Sequence, residues 1–172
     1  GGNLCNGSPA GDSVPALIAA GCKAVIAGPK GRKDVSIENF HLGPGKTVLE
    51  NGEMLVSLKF PKRVSNSADA YLRMTPRTEM DIAVVGCGVN ISLENDTCTH
   101  ARVSLGAVAP TPLLIEEASD IMVGSKLDDD TLSKASKICM DACNPINDKR
   151  GTIDYRTKVA GVLFKRATKL AA

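Results

Sequence analysis

The chain opens GGNLCNGSPAGD, from Gly1 to Asp12. A Gly-Gly pair lets backbone N–H groups come close to a ligand and takes up dihedrals closed to other residues. Asn3, Asn6 and Ser8 add side-chain donors. A helix starting near Ser13 turns the positive end of its dipole toward the same space. The chemistry this offers is a cradle for a phosphate or pyrophosphate. Asp12 fits a pure phosphate site badly, because its charge repels one. It fits better as an acceptor for ribose, ribityl or amide hydrogens. On these residues alone, a surface turn leading into a helix explains the stretch as well.

Other reactive side chains form no convincing set. The six cysteines, at 5, 22, 87, 98, 139 and 143, include no CxxC pair. Cys139 and Cys143 fall on one helix face, where small buried apolar groups are the favoured reading over a ligand or redox pair. His100 lies near Cys98 and His41 stands alone, so no metal site is expected. Asp128, Asp129 and Asp130 read as charge at a helix start rather than as metal ligands. Arg77, Glu79 and Asp81 form a charged bend. Lys149, Arg150 and Arg156 suit either a subunit contact or ordinary helix entry. No Ser-His-Asp or Cys-His arrangement is placed for catalysis, so no catalytic residue is expected.

The totals exclude several classes. Of 172 residues, 43% are hydrophobic and 23% charged, enough for a packed core. A net charge of +2, with three Phe, two Tyr and no Trp, supports neither nucleic-acid binding nor base stacking. The apolar runs are too short for membrane insertion. With no secretory pattern among these residues, reduced thiols and a cytoplasmic location are the expectation.

The elements that must position the opening stretch follow from pattern. Ser13–Ala20 reads as a helix, capped by Asp12 or Ser13 and stopped by Gly21. Residues 23–27, 33–37 and 53–60 read as strands, with a turn at 28–31 and a Gly/Pro-rich loop over 38–46. Residues 62–69 are linker-like and mark a domain boundary. Beyond them come a strand over 70–75, a hairpin of 81–93 and 101–108 about Glu94-Asn95-Asp96, and helices over 114–123, 128–143 and 154–170. The fold class is α+β.

Four segments also resemble a known family in the right order. GGNLCNGSPAGDSVPALIAAG resembles the second flavin-binding motif of the FAD-binding medium subunits of molybdenum hydroxylases, the family of aerobic carbon monoxide dehydrogenase and xanthine dehydrogenase. PGKTVLENGEMLVSLKFP (44–61), YLRMTPRTEMDIAVVGCGVNI (71–91) and PINDKRGTIDYRTKVAGVLFKRA (145–167) resemble later segments of it. The resemblance implies the C-terminal part of an FAD-binding PCMH-type domain over 1–62. A C-terminal domain with a small antiparallel sheet packed against helices then follows over 67–172. It implies a chain that starts inside its cofactor motif, without the family's first FAD-binding subdomain.

By the same resemblance, Gly1, Gly2 and Asn3 line the FAD phosphates and ribityl chain, with Cys5 and Asn6 on the same loop. Asp12 is the acidic contact closing the motif. Met54 and Leu55 lie beside the isoalloxazine, Arg73 is a cation near the flavin, and Tyr71 approaches the ring face. The implied activity is electron transfer. Electrons pass from the [2Fe-2S] clusters of a small subunit through FAD to an external acceptor, while a molybdopterin-binding large subunit oxidises the substrate. The implied assembly is a dimer of heterotrimers. The rival expectation is a flavin-free binding or assembly module.

Overall fold

The computed structural model describes residues 1–79 and 81–172; Met80, inside the third family-like segment, lies outside the described residues. The first half runs α1 (Gly2–Cys5), α2 (Ser13–Ala19), β1 (Lys23–Gly28), β2 (Gly31–Ser36), β3 (His41–Gly43), β4 (Lys46–Thr47) and β5 (Met54–Lys59). Strands β2, β1 and β5 form an antiparallel sheet in that order, and β3 pairs with β4. Val14, Ile18, Ala24, Ile26, Ile37 and Phe40 are buried between helix and sheet.

The second half runs β6 (Ser67–Met74), β7 (Val85–Glu94), β8 (Thr97–Gly106), β9 (Leu113–Leu114), α3 (Glu116–Met122), α4 (Asp129–Asp141) and α5 (Ile153–Ala171). The sheet order is β6-β7-β8-β9, antiparallel throughout. Asn95 and Asp96 turn the β7–β8 hairpin at φ 48° and 60°, a left-handed pair that Asn and Asp tolerate better than other side chains. Val89, Ile91, Val103 and Leu105 on the sheet bury Leu132, Cys139 and Phe164 of the helices. The architecture is the expected α+β, small antiparallel sheets packed on helices. Among the described residues no helix is long and apolar enough to cross a membrane.

Alternation along β6 sets up the site. Ala68, Ala70, Leu72 and Met74 pack on the second core, which turns Tyr71 and Arg73 to the opposite face of the sheet. On that face lies α2. A Cβ on Gly88 would stand 2.7 Å from the Pro15 carbonyl oxygen, and one on Gly106 would stand 2.5 Å from Pro15 Cγ. Bare backbone in β7 and β8 therefore seats the helix. Arg102 Nε donates to the Ile18 carbonyl at 3.1 Å, and its guanidinium pairs with Glu38 at 3.3 Å. Ala107, at φ 63°, donates its N–H to the Pro9 carbonyl at 2.9 Å. These contacts join the two halves.

Several local expectations change, among them the hairpin strands, which run over Val85–Glu94 and Thr97–Gly106. The opening segment is a helical turn rather than loop, because the Cys5 and Asn6 N–H groups bond back to Gly1 and Gly2. Strand β6 begins at Ser67, inside the linker-like stretch, since its polar residues lie on the face away from the core. The loop over 38–46 holds a 3₁₀ turn (Ile37–Asn39) and β3. Leu113–Leu114 pairs with β8 as β9, and the helix starts only at Glu116.

Candidate functional site

The opening turn is held from behind. Leu4 is buried at 1% exposure, and its carbonyl accepts from His41 Nε2 at 2.7 Å. That contact fixes His41 as the Nε2–H tautomer, while its Nδ1 is buried without a partner. Gly7, at φ 66°, accepts from the Gly45 N–H at 2.9 Å. A Cβ on Gly7 would meet the Gly45 backbone at 3.0 Å, so the position takes glycine on both counts. Asn3 Oδ1 accepts from both the N–H (3.1 Å) and the hydroxyl (2.6 Å) of Ser13, tying the turn to the start of α2.

With Leu4 pinned inward, Gly1, Gly2, Asn3, Cys5 and Asn6 are left exposed on the outer side. A Cβ on Gly2 would touch nothing, and one on Gly1 would meet only Leu55 Cδ2 at 3.8 Å. The backbone there is open to a ligand. Leu55 is half-buried against the first core, whereas Met54 is 64% exposed on the sheet.

Asp12 is the N-cap of α2 but makes no side-chain capping bond. Its Oδ2 pairs with Arg73 Nη1, and its Oδ1 accepts from the Tyr71 hydroxyl at 3.4 Å. Tyr71 in turn requires Gly86, where a Cβ would stand 2.8 Å from its hydroxyl oxygen. Burial, then the neighbouring Asp12 charge, pushes the Tyr71 phenol well above its ordinary range. It stays a neutral donor at physiological pH. The structure thus joins Asp12, Tyr71 and Arg73 in one cluster and Gly1 with Leu55 in another. Asn3 and Ser13 link the two through the start of α2.

Asp81 accepts from the N–H groups of Arg77 and Ile82, both at 2.8 Å. These bonds and the Arg77 guanidinium outweigh burial and lower its pKa. All six cysteines are free thiols. Burial raises Cys87, pushes Cys139 up to about 12 and Cys143 up to about 11, so all three are protonated near neutrality. Among the described residues no group of three His, Cys, Asp or Glu could hold a metal ion. Sequence reasoning missed His41 and the glycines of β7. The Gly-Cys-Gly run at 86–88 inside a strand was the available signal, since glycine there marks close backbone approach. A single histidine gave none.

Known proteins share this fold. Residues 1–63 match the FAD binding domain in molybdopterin dehydrogenase, and residues 70–171 match the CO dehydrogenase flavoprotein C-terminal domain. The chain is 35% identical to the carbon monoxide dehydrogenase medium chain of Afipia carboxidovorans, over 99% of this chain and 59% of the relative. It is 31% identical to the putative xanthine dehydrogenase FAD-binding subunit of Escherichia coli strain K12, over 96% of this chain and 57% of the relative. The solved structure of carbon monoxide dehydrogenase from Hydrogenophaga pseudoflava superposes with a TM-score of 0.96 at 33% identity, covering 99% of this chain and 59% of that one. The chain therefore spans well under two thirds of the length of these relatives. With its two halves matched in order, and the C-terminal match alone taking in more than half of its residues, the chain belongs to the family of FAD-binding medium subunits of carbon monoxide and xanthine dehydrogenases.

Proposed function

We propose that this chain forms part of an FAD-binding subunit of a molybdenum hydroxylase, with residues 1–62 contributing to the cofactor site and residues 67–172 forming the C-terminal domain. The observation that carries the reading is the open Gly1-Gly2 backbone, tied through Asn3 and Ser13 to the start of α2, where Asp12 meets Arg73 and Tyr71. The residues fit the cofactor: backbone donors free of side-chain cover suit phosphates, and the half-exposed polar cluster suits ribityl and ring atoms. FAD, when bound, supplies the redox chemistry.

The chain's own residues bind and orient. His41 and Leu4 hold the turn still, which keeps the Gly1, Gly2 and Asn3 backbone in place. Because Asn3 Oδ1 is engaged by Ser13, its amide nitrogen is the end left to donate to a ligand, as a phosphate requires. Cys5 and Asn6, whose N–H groups bond back to Gly1 and Gly2, close the turn that presents this backbone. Leu55 provides an apolar contact for a ring beside Gly1, while Met54, on the opposite face of β5, contributes backbone. Tyr71, kept neutral, offers a face and a fixed hydroxyl. Arg73 supplies positive charge, moderated by Asp12.

The assembly we infer couples this subunit to a [2Fe-2S] small subunit, which delivers electrons, and to a molybdopterin-binding large subunit, which oxidises substrate. The FAD subunit then passes electrons to an external acceptor, in a cytoplasmic dimer of heterotrimers. The test is flavin content. The purified intact subunit should show flavin absorbance, and Asp12→Ala should lower its occupancy in equilibrium dialysis while circular dichroism is unchanged. The loss expected for one charge-assisted acceptor is about 1.5–3 kcal/mol. A subunit that neither carries nor rebinds FAD would instead be a flavin-free assembly module.

A further inference from the structure

A cavity of about 310 Å³ opens where the two halves meet, within the size range of small-ligand pockets. Pro9, Ala10 and Pro44 line it from the first half, and Ile82, Pro110 and Ile146 from the second. Ile82 is 48% exposed and Ile146 70%, so two branched apolar side chains stand at its edge with little to cover them.

Its charged groups are Asp148, Arg150 and Arg156. Arg156 is buried at 4% exposure. Its Nη1 donates to the carbonyls of Val84 (2.6 Å) and Ala107 (3.3 Å), and its Nη2 to Asp148 Oδ1 at 2.8 Å. The Nε–H is buried without an acceptor. Asp148 Oδ1 also accepts from the N–H groups of Arg150 (2.8 Å) and Gly151 (3.1 Å). Burial works to raise its pKa, but these donors and the Arg156 charge hold it below the usual carboxylate range. It stays ionised near neutrality.

Arg150 Nη1 comes no nearer than 3.5 Å to Asp148 Oδ2, too long for a hydrogen bond. Two guanidiniums therefore face one carboxylate, and the lining carries an excess positive charge amid apolar walls that weaken screening by water. An amphipathic anion answers both features. Its body would desolvate against the prolines and isoleucines, and its head would pair with the planar fork of Arg150. An amine would meet repulsion, and a neutral amide would leave the excess charge unanswered.

We propose that this cavity binds an aliphatic monocarboxylate, with Arg150 as the partner of the carboxylate and Ile82 and Ile146 packing on the chain. A free acid and the C-terminal leucine of a polypeptide present the same chemistry.

The experiment titrates the full chain, labelled at isoleucine methyls, with isocaproate, isocaproamide and isohexylamine. Parallel titrations use a short peptide ending in leucine, with its carboxylate free or amidated. Isocaproate should shift the Ile82 and Ile146 methyls saturably and bind at least about tenfold tighter than the amide or the amine. Arg150→Gln, which keeps the backbone N–H that Asp148 uses, should bring isocaproate down to the level of the amide. Tighter binding of the free-carboxylate peptide than of isocaproate assigns the site to a polypeptide end, and weaker binding assigns it to a free acid. Absence of saturable methyl shifts, equal affinity for all three small molecules, or unchanged affinity in a folded Arg150→Gln variant would overturn the proposal.

Discussion

Asp12 occupies the start of α2, where a carboxylate ordinarily accepts the helix's own free N–H groups. Instead its oxygens reach across to Arg73 and Tyr71 in the other half. A cation beside a flavin favours the more negative reduced form, and a carboxylate beside the cation moderates that effect. On the proposed reading, Arg73→Ala should make the flavin potential more negative, and Asp12→Ala should make it more positive in the fraction that retains cofactor. The double variant should fall between them, because the two shifts have opposite signs. Redox titration of flavin-loaded subunit checks this, and shifts of the same sign in both single variants would contradict it. Asp12 was legible as a polar residue closing the opening motif, but its partners lie about sixty positions downstream, where spacing carries no information about contact.

Helix ends show how much local signal can carry. Asp128 was readable as start-of-helix charge, and its side chain accepts from the Thr131 N–H at 2.8 Å as the N-cap of α4. Asp128→Ala should lower the midpoint of denaturant unfolding, with little change in the m-value. An unchanged midpoint would mean that Asp129 or another group takes over the cap. Long periodic helices and the Asn-Asp hairpin were legible for the same reason: each is fixed by neighbours in sequence. The opening helical turn, β9 and the start of β6 were not. Gly1 to Asn6 has poor helix propensity and forms its turn around the buried Leu4 and its bond to His41. Leu113–Leu114 exists as a strand only because β8 is alongside.

For the whole molecule, the thiols of the second core matter through pH. Cys139 is pushed up to about 12 and Cys143 to about 11, against about 8.5 for an exposed thiol. A group whose folded pKa is raised contributes stability that is complete below its unfolded pKa and is lost as pH rises toward the folded one. The urea midpoint should therefore hold from neutrality to roughly pH 8.5 and fall above it. Cys139→Ala should start from a lower midpoint, through lost packing, but show a shallower alkaline decline. Parallel pH profiles would remove the thiol from the explanation. Two separate apolar cores were foreseeable from the sequence, each having its own strands and helix. Their closeness was not, because the seam consists of missing side chains at Gly88 and Gly106 and of backbone bonds such as Ala107 to Pro9.

That seam also sets rules for how such a chain can drift during evolution. The obstacle to a side chain at Gly106 is the ring carbon Cγ of Pro15, while the obstacle at Gly88 is the backbone oxygen of the same residue, with Ala19 Cβ behind it. Epistasis should follow the difference. Gly106→Ala should destabilise the protein by about 1–3 kcal/mol through overpacking, and Pro15→Ala in the same molecule should recover much of that loss by removing the ring. Gly88→Ala should gain no such relief, since every amino acid brings the same carbonyl. Thermal unfolding of the two pairs measures this, and equal rescue at both glycines would refute it. One glycine is negotiable together with its neighbour; the other closes a path that no single compensating substitution at residue 15 can reopen.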